Sequence, residues 1–175
     1  MQLSVRASQV TRPAPSDRFD AVVQLPFGCV GVGTQDGWVQ RIEFLPGNVR
    51  PRSAANALAQ RVVDQLLAYT VDCSAPIDLP LAIHGTEFQR SVWKEIAAIP
   101  CGSTQTYGEI ARRLGVPARA VGQACGDNGL PLAIPCHRVV AASGIGGFAH
   151  HRGGAYERIK RWLLMHEAGS ELRLT

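Results

Sequence analysis

The sequence predicts two small folded units, an α/β unit over residues 1–79 and a mainly helical unit over residues 80–175. Three observations support this division. Strand-like residues dominate 21–45, helix-capping patterns recur in the second half, and the intervening stretch 73–80 contains two prolines. With 175 residues and 46% hydrophobic content, the chain is long enough for one compact domain or two small ones.

The first unit is expected to contain a strand hairpin and one helix. Residues 1–18 are polar and proline-containing, which is typical of a loose leader. Within 21–45, two β-rich runs flank Asp36-Gly37, a dipeptide that favours hairpin turns. We expect Ser53 to cap the helix that follows. Apolar residues recur there at helical spacing, at Leu58, Val62, Leu66 and Tyr69.

The second unit begins with two capping boxes, each of which predicts a helix. Thr86 with Gln89 opens the first, and Thr106 with Glu109 opens the second. Gly115 is expected to end the second helix as its C-cap. The chain then turns into another helix, so the order is helix, tight turn, helix. A last helix is expected over 155–166.

Helix, tight turn, helix is the helix-turn-helix pattern, which occurs in DNA-binding proteins and in helical hairpins with no nucleic-acid role. The second helix of this pattern, residues 117–126, opens at Pro117 and has an unusual composition for a helix that reads DNA bases. Reading bases in a major groove needs long polar side chains, and here the only long cation is Arg119. The other residues are small enough to allow close packing on another helix or close approach to a narrow groove. Five of them are alanine or glycine, at Ala118, Ala120, Gly122, Ala124 and Gly126.

Charge, hydropathy and cysteine content indicate what kind of partner the protein binds and in which cellular compartment it is expected. The net charge of +4 lies entirely in residues 80–175, which hold eleven Lys or Arg against seven Asp or Glu, so a polyanion would be attracted there. No apolar run is long enough to cross a bilayer and no signal peptide is recognisable, so a cytoplasmic or nuclear protein is expected. Five cysteines without zinc-type spacing indicate free thiols and no metal site.

Cys136 lies in "AIPCHRVVAASG", directly before a His-Arg pair. Positive charge next to a thiol lowers its pKa and makes it a better nucleophile. Three interpretations remain open at this point: a buried structural cysteine, a Cys-His hydrolase, and a thiolate that accepts an alkyl group. Composition and periodicity do not choose between them.

Residues 86–167 closely resemble the O6-alkylguanine-DNA alkyltransferases. Four blocks carry the resemblance, in the order and spacing of that family: "GTEFQRSVWKEIAAIPCGSTQTYGEIARRLG", "ARAVGQACGDN", "IPCHRVVAASG" and "WLLMHE". Residues 1–79 resemble it only through "LPFGCVGVGTQDGWVQRIEF". The resemblance implies an α/β N-terminal domain and a mainly α C-terminal domain with a winged helix-turn-helix. It implies no cofactor.

The resemblance also implies roles for four residues in the chemistry. Cys136 would take the alkyl group from guanine O6 irreversibly, once per protein molecule. His137 would draw the thiol proton through a water, and Glu167 would hold the imidazole of His137. Asn128 would hold the turn between the DNA-binding helix and the active-site segment.

The implied partner is double-stranded DNA containing O6-alkylguanine, bound through its minor groove by a protein that is monomeric in solution. The alkylated base must leave the stack to reach a buried thiol. Arg119 would fill the gap, Tyr107 would lie over the flipped nucleotide, and the carbonyls of Cys136 and Val139 would accept from the guanine 2-amino group. The small residues of the helix, Ala118, Ala120 and Gly122, would enter the groove.

The chain departs from the family pattern in two places. Phe148 stands where many members have tyrosine, and the segment 149–161 is several residues longer than in human-type members. Both border the substrate pocket, so the tolerance of bulky alkyl groups is open. The alternative to alkyl transfer is an alkyltransferase-like damage sensor that binds and does not transfer, and the presence of Cys136 argues against it.

Overall fold

A computed structural model describes residues 18–150 and 154–171 of the chain. The predicted leader, apart from Arg18, lies outside these residues, as does His151. The elements in chain order are β1 (Ala21–Leu25), β2 (Gly28–Gln35), β3 (Trp38–Leu45), α1 (Ala57–Val71), α2 (Glu87–Ala97), β4 (Gln105–Thr106), α3 (Tyr107–Leu114), α4 (Ala118–Gly126), a 3₁₀ turn (Cys136–Arg138), β5 (Val139–Val140) and α5 (Gly154–Glu171).

The N-terminal sheet is antiparallel, with the order β1-β2-β3. The predicted hairpin is confirmed: Asp36 and Gly37 connect β2 to β3 with φ angles of 52° and 81°. Two successive left-handed residues match the twist of the flanking strands, which is why Asp-Gly suits this turn.

Helix α1 packs on the sheet through Ala59, Val62, Leu66 and Tyr69, all of them buried. The predicted cap at Ser53 is wrong. Asn56 caps the helix instead, since its side chain accepts a hydrogen bond from the backbone N–H of Ala59. Serine and asparagine are both good N-caps, and the backbone turns into the helix only after Asn56.

Both predicted capping boxes are present at the starts of α2 and α3. Gly115 ends α3 in the left-handed conformation with φ 66°, as expected of a C-cap glycine. Helices α3 and α4 form the predicted helix-turn-helix. Strand β4, directly before α3, pairs in parallel with β5, and a bridged turn at 141–144 follows β5. The predicted fold class is confirmed.

Helix α5 is longer than the predicted 155–166 and ends at Glu171. Ile159, Lys160, Leu163 and Glu167 are buried on its inner face. None of the helices in residues 18–150 and 154–171 is long and apolar enough to cross a membrane.

A continuous core runs from the sheet through α1 into the helices of the second half. Phe27 packs on Trp162 with 5.0 Å between ring centroids, and Phe44 packs on Phe148 with 5.4 Å. These aromatic contacts join residues on the two sides of the boundary near residue 79, and both sides share one core. The division into 1–79 and 80–175 therefore stays a prediction.

The expectation of five free thiols is wrong for one pair. Cys73, which follows α1, and Cys101, which follows α2, form a disulfide with 6.2 Å between their Cα atoms. That separation is within the range that a disulfide spans. The fold brings the two loops together although no sequence motif relates them. Cys29, Cys125 and Cys136 are free and buried.

Candidate active site

Cys136 begins the 3₁₀ turn and is 4% exposed. Asn128 lies two residues after the end of α4. Its side-chain nitrogen donates to Sγ of Cys136 at 3.2 Å and to the carbonyl of Ile134 at 2.8 Å. Its side-chain oxygen accepts from the backbone N–H of Leu130 at 3.0 Å. One amide therefore holds the turn after α4 and contacts the thiol.

His137 and Glu167 form a buried pair with 2.7 Å between Nε2 and Oε1. A carboxylate accepts hydrogen bonds and donates none, so Nε2 of His137 carries the proton. The other ring nitrogen, Nδ1, is the one buried side-chain nitrogen or oxygen without a hydrogen-bond partner within the described residues. In the neutral ring this nitrogen is the free acceptor.

Glu167 accepts five hydrogen bonds from four residues. Tyr69 donates its hydroxyl to Oε1 at 2.7 Å, beside the bond from His137. Arg138 donates to Oε2 at 2.9 Å and to Oε1 at 3.0 Å, and the N–H of Gly102 donates to Oε2 at 3.3 Å. Burial opposes ionisation of Glu167, yet the hydrogen bonds from His137 and Arg138, together with the charge of Arg138, lower its pKa to about 2. The side chain is a carboxylate at neutral pH.

The acid–base states of Cys136 and His137 follow from burial. Burial raises the pKa of the Cys136 thiol, and the hydrogen bond from Asn128 and the charge of Lys160 offset only part of that rise. Burial lowers the pKa of His137 despite the neighbouring Glu167. At neutral pH, the resting pair is therefore a protonated thiol and a neutral imidazole, which is the arrangement of an acid next to a base.

Lys160 is fully buried and donates to the carbonyls of Val139 at 2.6 Å and Gly147 at 2.9 Å. Burial lowers its pKa to about 8. Its ammonium nitrogen also lies 5.8 Å from the ring centroid of Tyr107 and 6.0 Å from that of Phe148. This cation fixes the backbone on both sides of the segment that follows the 3₁₀ turn.

Tyr107 is half-buried at the start of α3, and burial raises the pKa of its hydroxyl. The hydroxyl donates to the carbonyl of Gly147 at 3.1 Å, so its proton is already used and its oxygen is left as an acceptor. Donation of this hydroxyl to a phosphate of the flipped nucleotide would need that bond to open, since a phosphate offers only acceptors.

A cavity of about 990 Å³ lies between α4 and the segment 141–150. Its size is at the upper end for small-molecule sites. It brings together six of the predicted residues, namely Tyr107, Ala118, Arg119, Gly122, Cys136 and Phe148. It does not include Ala120 or Val139, and Asn128, His137 and Glu167 do not line it either.

The DNA-facing part of the prediction lies on the exposed side of α4. Ala118 and Arg119 are exposed and Ala120 is half-buried, whereas Val121 and Ala124 pack inward. A Cβ atom added at Gly122 would lie 3.9 Å from the Tyr107 ring, an ordinary contact, so the packing of α4 against Tyr107 does not depend on that glycine.

Sequence reasoning assigned no role to four residues that shape the site. The spacing of apolar residues in α1 predicts only a core position for Tyr69, and Arg138 is recognisable only as a positive charge next to the thiol. Lys160 and Cys125 carried no local signal, although Cys125 also lines the cavity. No group of three or more His, Cys, Asp or Glu that could hold a metal occurs in the part of the chain that the structure describes.

Comparison with known proteins places this geometry in a family. Residues 87–169 match the family described as "6-O-methylguanine DNA methyltransferase, DNA binding domain". The chain is 41% identical over 128 residues to the methylated-DNA–protein-cysteine methyltransferase of Mycolicibacterium paratuberculosis, covering 71% of this chain and 72% of that protein. The chain belongs to the methylated-DNA–protein-cysteine methyltransferase family. The family member from Shigella flexneri is 46% identical over 108 residues, 59% of this chain and 60% of that protein.

Solved structures agree with the family assignment. The Mycobacterium tuberculosis O6-methylguanine methyltransferase superposes with a TM-score of 0.70 at 32% identity, covering 85% of this chain and 92% of that chain. A structure of the Mycobacterium tuberculosis protein OGT in complex with DNA superposes with a TM-score of 0.68 at 34% identity and the same coverage. The resemblance read from the sequence is confirmed.

Proposed function

We propose that this methyltransferase repairs DNA by transferring an alkyl group from guanine O6 to its own Cys136, once per molecule. The observation that carries the proposal is the position of Cys136. Its thiol lines a large cavity, and the next residue, His137, belongs to a buried hydrogen-bonded pair with Glu167. A nucleophile and a base are thus neighbours in the chain, and a carboxylate orients the base.

The proton moves away from the thiol before or during the transfer. Because burial raises the pKa of Cys136, the thiol needs a base, and Nδ1 of neutral His137 is the free acceptor. Adjacent residues need not face each other, so a bridging water carries the proton between them. Glu167 keeps the proton of the resting imidazole on Nε2 and stabilises the imidazolium that forms.

The bond changes balance as an in-line displacement. Sγ forms a bond to the alkyl carbon while the bond from that carbon to O6 breaks, and the electron pair of the broken bond leaves with guanine. Overall, one proton passes from the thiol to the guanine. The thioether on Cys136 has no easy leaving group, so the protein is consumed by the reaction.

The substrate is O6-alkylguanine in duplex DNA, flipped out of the stack from the minor groove. An alkyl group inside the duplex cannot reach a thiol that is 4% exposed, so the nucleotide must enter the cavity. Exposed Arg119 stands at the cavity and can take the place of the extruded base, which offsets part of the unstacking cost. Tyr107 lines the same cavity and would lie over the nucleotide.

Guanine is selected by the carbonyls of Cys136 and Val139. Each already accepts one hydrogen bond, from the N–H of Val139 and from Lys160 respectively. A carbonyl oxygen has two lone pairs, so each keeps one for the guanine 2-amino group, which adenine lacks. Phe148 offers no hydroxyl to the base. A monomer that acts on genomic DNA in this way works in the cytoplasmic nucleoid or in the nucleus.

Mass spectrometry tests the proposal directly. The protein is mixed with a duplex containing one O6-methylguanine, and the intact protein and its peptides are weighed. We expect one methyl group per protein, on the Cys136 peptide, with no turnover. Two variants separate the cavity thiols: Cys136→Ala should take no methyl group, and in Cys125→Ala the label should stay on Cys136.

Tight binding of the duplex without any mass change would refute alkyl transfer. The protein would then be a damage sensor with an inert cysteine, and the roles of His137 and Glu167 would be withdrawn. A methyl group on Cys125 would instead show that the wrong thiol was assigned.

A further inference from the structure

A disulfide joins two segments that each hold the carboxylate of Glu167. Cys73 lies two residues beyond α1, and Tyr69 in the last turn of that helix donates its hydroxyl to Oε1 at 2.7 Å. Cys101 lies four residues beyond α2, and the N–H of the next residue, Gly102, donates to Oε2 at 3.3 Å. The covalent link is therefore four residues from one hydrogen-bond donor and one residue from the other.

The same two segments also hold the neighbours of Glu167. The carbonyl of Tyr69 accepts from Nε2 of His166 at 2.7 Å, which attaches the end of α1 to α5 beside the carboxylate. The carbonyl of Ile99, in the segment after α2, accepts from Arg138 at 2.6 Å, and Arg138 donates to both oxygens of Glu167. Four of the five hydrogen bonds on Glu167 thus come from groups that belong to these two segments or are bonded to them.

The disulfide is accessible from one side and enclosed on the other. Cys101 is half-buried, whereas Cys73 is 4% exposed. A small thiol therefore attacks the bond from the side of Cys101. Two unbonded sulfur atoms cannot stay as close together as a bonded pair, and the core encloses Cys73, so reduction must move the two segments apart.

A disulfide is unusual in a protein that acts on genomic DNA. The compartments that hold genomic DNA keep thiols reduced, and disulfides formed there are usually transient and either catalytic or redox-sensing. Disulfides kept for stability alone are typical of secreted proteins. Given the proposed function, the pairing of Cys73 with Cys101 therefore favours a bond that forms and opens with the redox state of its surroundings.

We propose that the Cys73–Cys101 pair is a redox-responsive site that controls, through Glu167, the rate of alkyl transfer. The inference rests on the proposed function and adds a regulation of the same active site. In the oxidised form, the disulfide keeps the donors of Glu167 in place, and Glu167 keeps His137 positioned as the base. In the reduced form, the two segments separate, Glu167 is held less firmly, and transfer to Cys136 is slower.

The redox step balances as thiol–disulfide exchange. A small-molecule dithiol gives two electrons and two protons to the disulfide, so the S–S bond breaks, two thiols form and the dithiol becomes a disulfide. In the reverse direction, a small-molecule disulfide accepts the two electrons and two protons and is itself reduced to two thiols. The alkyl acceptor takes no part, because Cys136 is a free thiol while Cys73 and Cys101 are joined.

Single-turnover transfer from a duplex containing O6-methylguanine tests the redox site, with protein oxidised by glutathione disulfide or reduced by dithiothreitol. Thiol counts on the denatured protein identify the two forms, with three free thiols when oxidised and five when reduced, and the intact mass shows that no glutathione stays attached. We expect reduction to lower the rate constant about tenfold, or about 1.4 kcal/mol of activation free energy. The final number of methyl groups should stay at one per protein. A merely structural disulfide would lower that number and leave the rate constant unchanged.

Variants separate the route through Glu167 from other effects of reduction. Cys73→Ala and Cys101→Ala should each transfer at the slow rate and no longer respond to reductant, and reduced wild-type protein replaces them if neither folds. Tyr69→Phe removes one of the donors to Glu167, so reduction should slow this variant less than it slows wild-type protein. Cys29→Ala is the matched control, because this buried free thiol lies in a separate apolar cluster, and it should respond to reductant as wild-type protein does.

The outcomes separate the two proposals. Wild-type protein that places no methyl group on Cys136 in either redox form refutes the proposed function, and the redox site with it. Methyl transfer with the same rate constant in both forms overturns the redox site alone, as does a pair of thiols that glutathione disulfide never joins. An equal loss on reduction in Tyr69→Phe and in wild-type protein also overturns it, because the effect would then not pass through Glu167.

Discussion

Replacing Glu167 by glutamine tests the electrostatic account of the active site. The carboxylate accepts hydrogen bonds from Tyr69, His137, Arg138 and the backbone of Gly102. An amide has one oxygen and one NH₂ group, so some of these donors would face another donor. We expect Glu167→Gln to lose stability, to lose control of the His137 tautomer and to transfer alkyl groups more slowly.

The magnitude follows from the pKa of Glu167, which falls from 4.5 to about 2 in the folded protein. A lowered pKa means that the folded state favours the charged form, so the contribution is present above pH 4.5 and disappears as the pH falls toward 2. At neutral pH it amounts to about 3 kcal/mol of unfolding free energy. Glutamine does not titrate and cannot supply it.

Urea unfolding of both proteins between pH 2 and pH 7 measures this contribution. Asp72 and Glu109 also have lowered pKa values, so both proteins lose stability in acid and only their difference reports Glu167. Glu43→Gln, at an exposed ion pair with Arg18, is the matched control and should cost at most about 1 kcal/mol. A wild-type advantage over Glu167→Gln that stays constant from pH 7 to pH 2 would refute the reasoning.

Four further outcomes are expected. Cys136→Ala should abolish transfer and keep DNA affinity, measured by mass spectrometry and gel shift; equal loss of both would contradict separate roles. Arg119→Ala should slow repair of duplex far more than reaction with free O6-benzylguanine, and similar losses would argue against its insertion. Tyr69→Phe should cost about 1.5–3 kcal/mol in urea, the value of a hydrogen bond to a charge, and an unchanged midpoint would speak against it. Reducing Cys73–Cys101, which closes a loop of 28 residues, should cost about 3.6 kcal/mol, with Cys73→Ala insensitive to reductant. A wild-type urea midpoint that does not change when reductant is added would contradict this prediction for the disulfide.

The N-terminal half contributes directly to the chemistry through Tyr69. Its hydroxyl is 2.7 Å from Oε1 of Glu167 and 3.5 Å from Nε2 of His137, although it lies 98 and 68 residues away in sequence. The disulfide joins Cys73, just beyond α1, to Cys101, the neighbour of Gly102. Two of the groups that hold Glu167 are thus attached to the two ends of one covalent link.

Local signals in the sequence determined the local structure of this protein. The Asp36-Gly37 turn, the two capping boxes and the C-cap at Gly115 depend on contacts between residues at most four apart, so each is readable from a short window. The four blocks that identified the family, among them the motif around Cys136, are readable for the same reason, since the residues within each block are consecutive. The error at Ser53 shows the limit: Asn56 has equal capping chemistry three residues later, and only the path of the backbone chose between them.

Only the tertiary structure decided the charge state and the surroundings of the site. The five hydrogen bonds on Glu167, the disulfide, and the hydrogen bond between His150 and Asp127 all join residues at least 23 apart in sequence. Burial, which sets the pKa of Cys136 and His137, depends on packing of the whole core. Neither these long-range contacts nor the burial of the two side chains has a local sequence pattern, because residues far apart in the chain produce them.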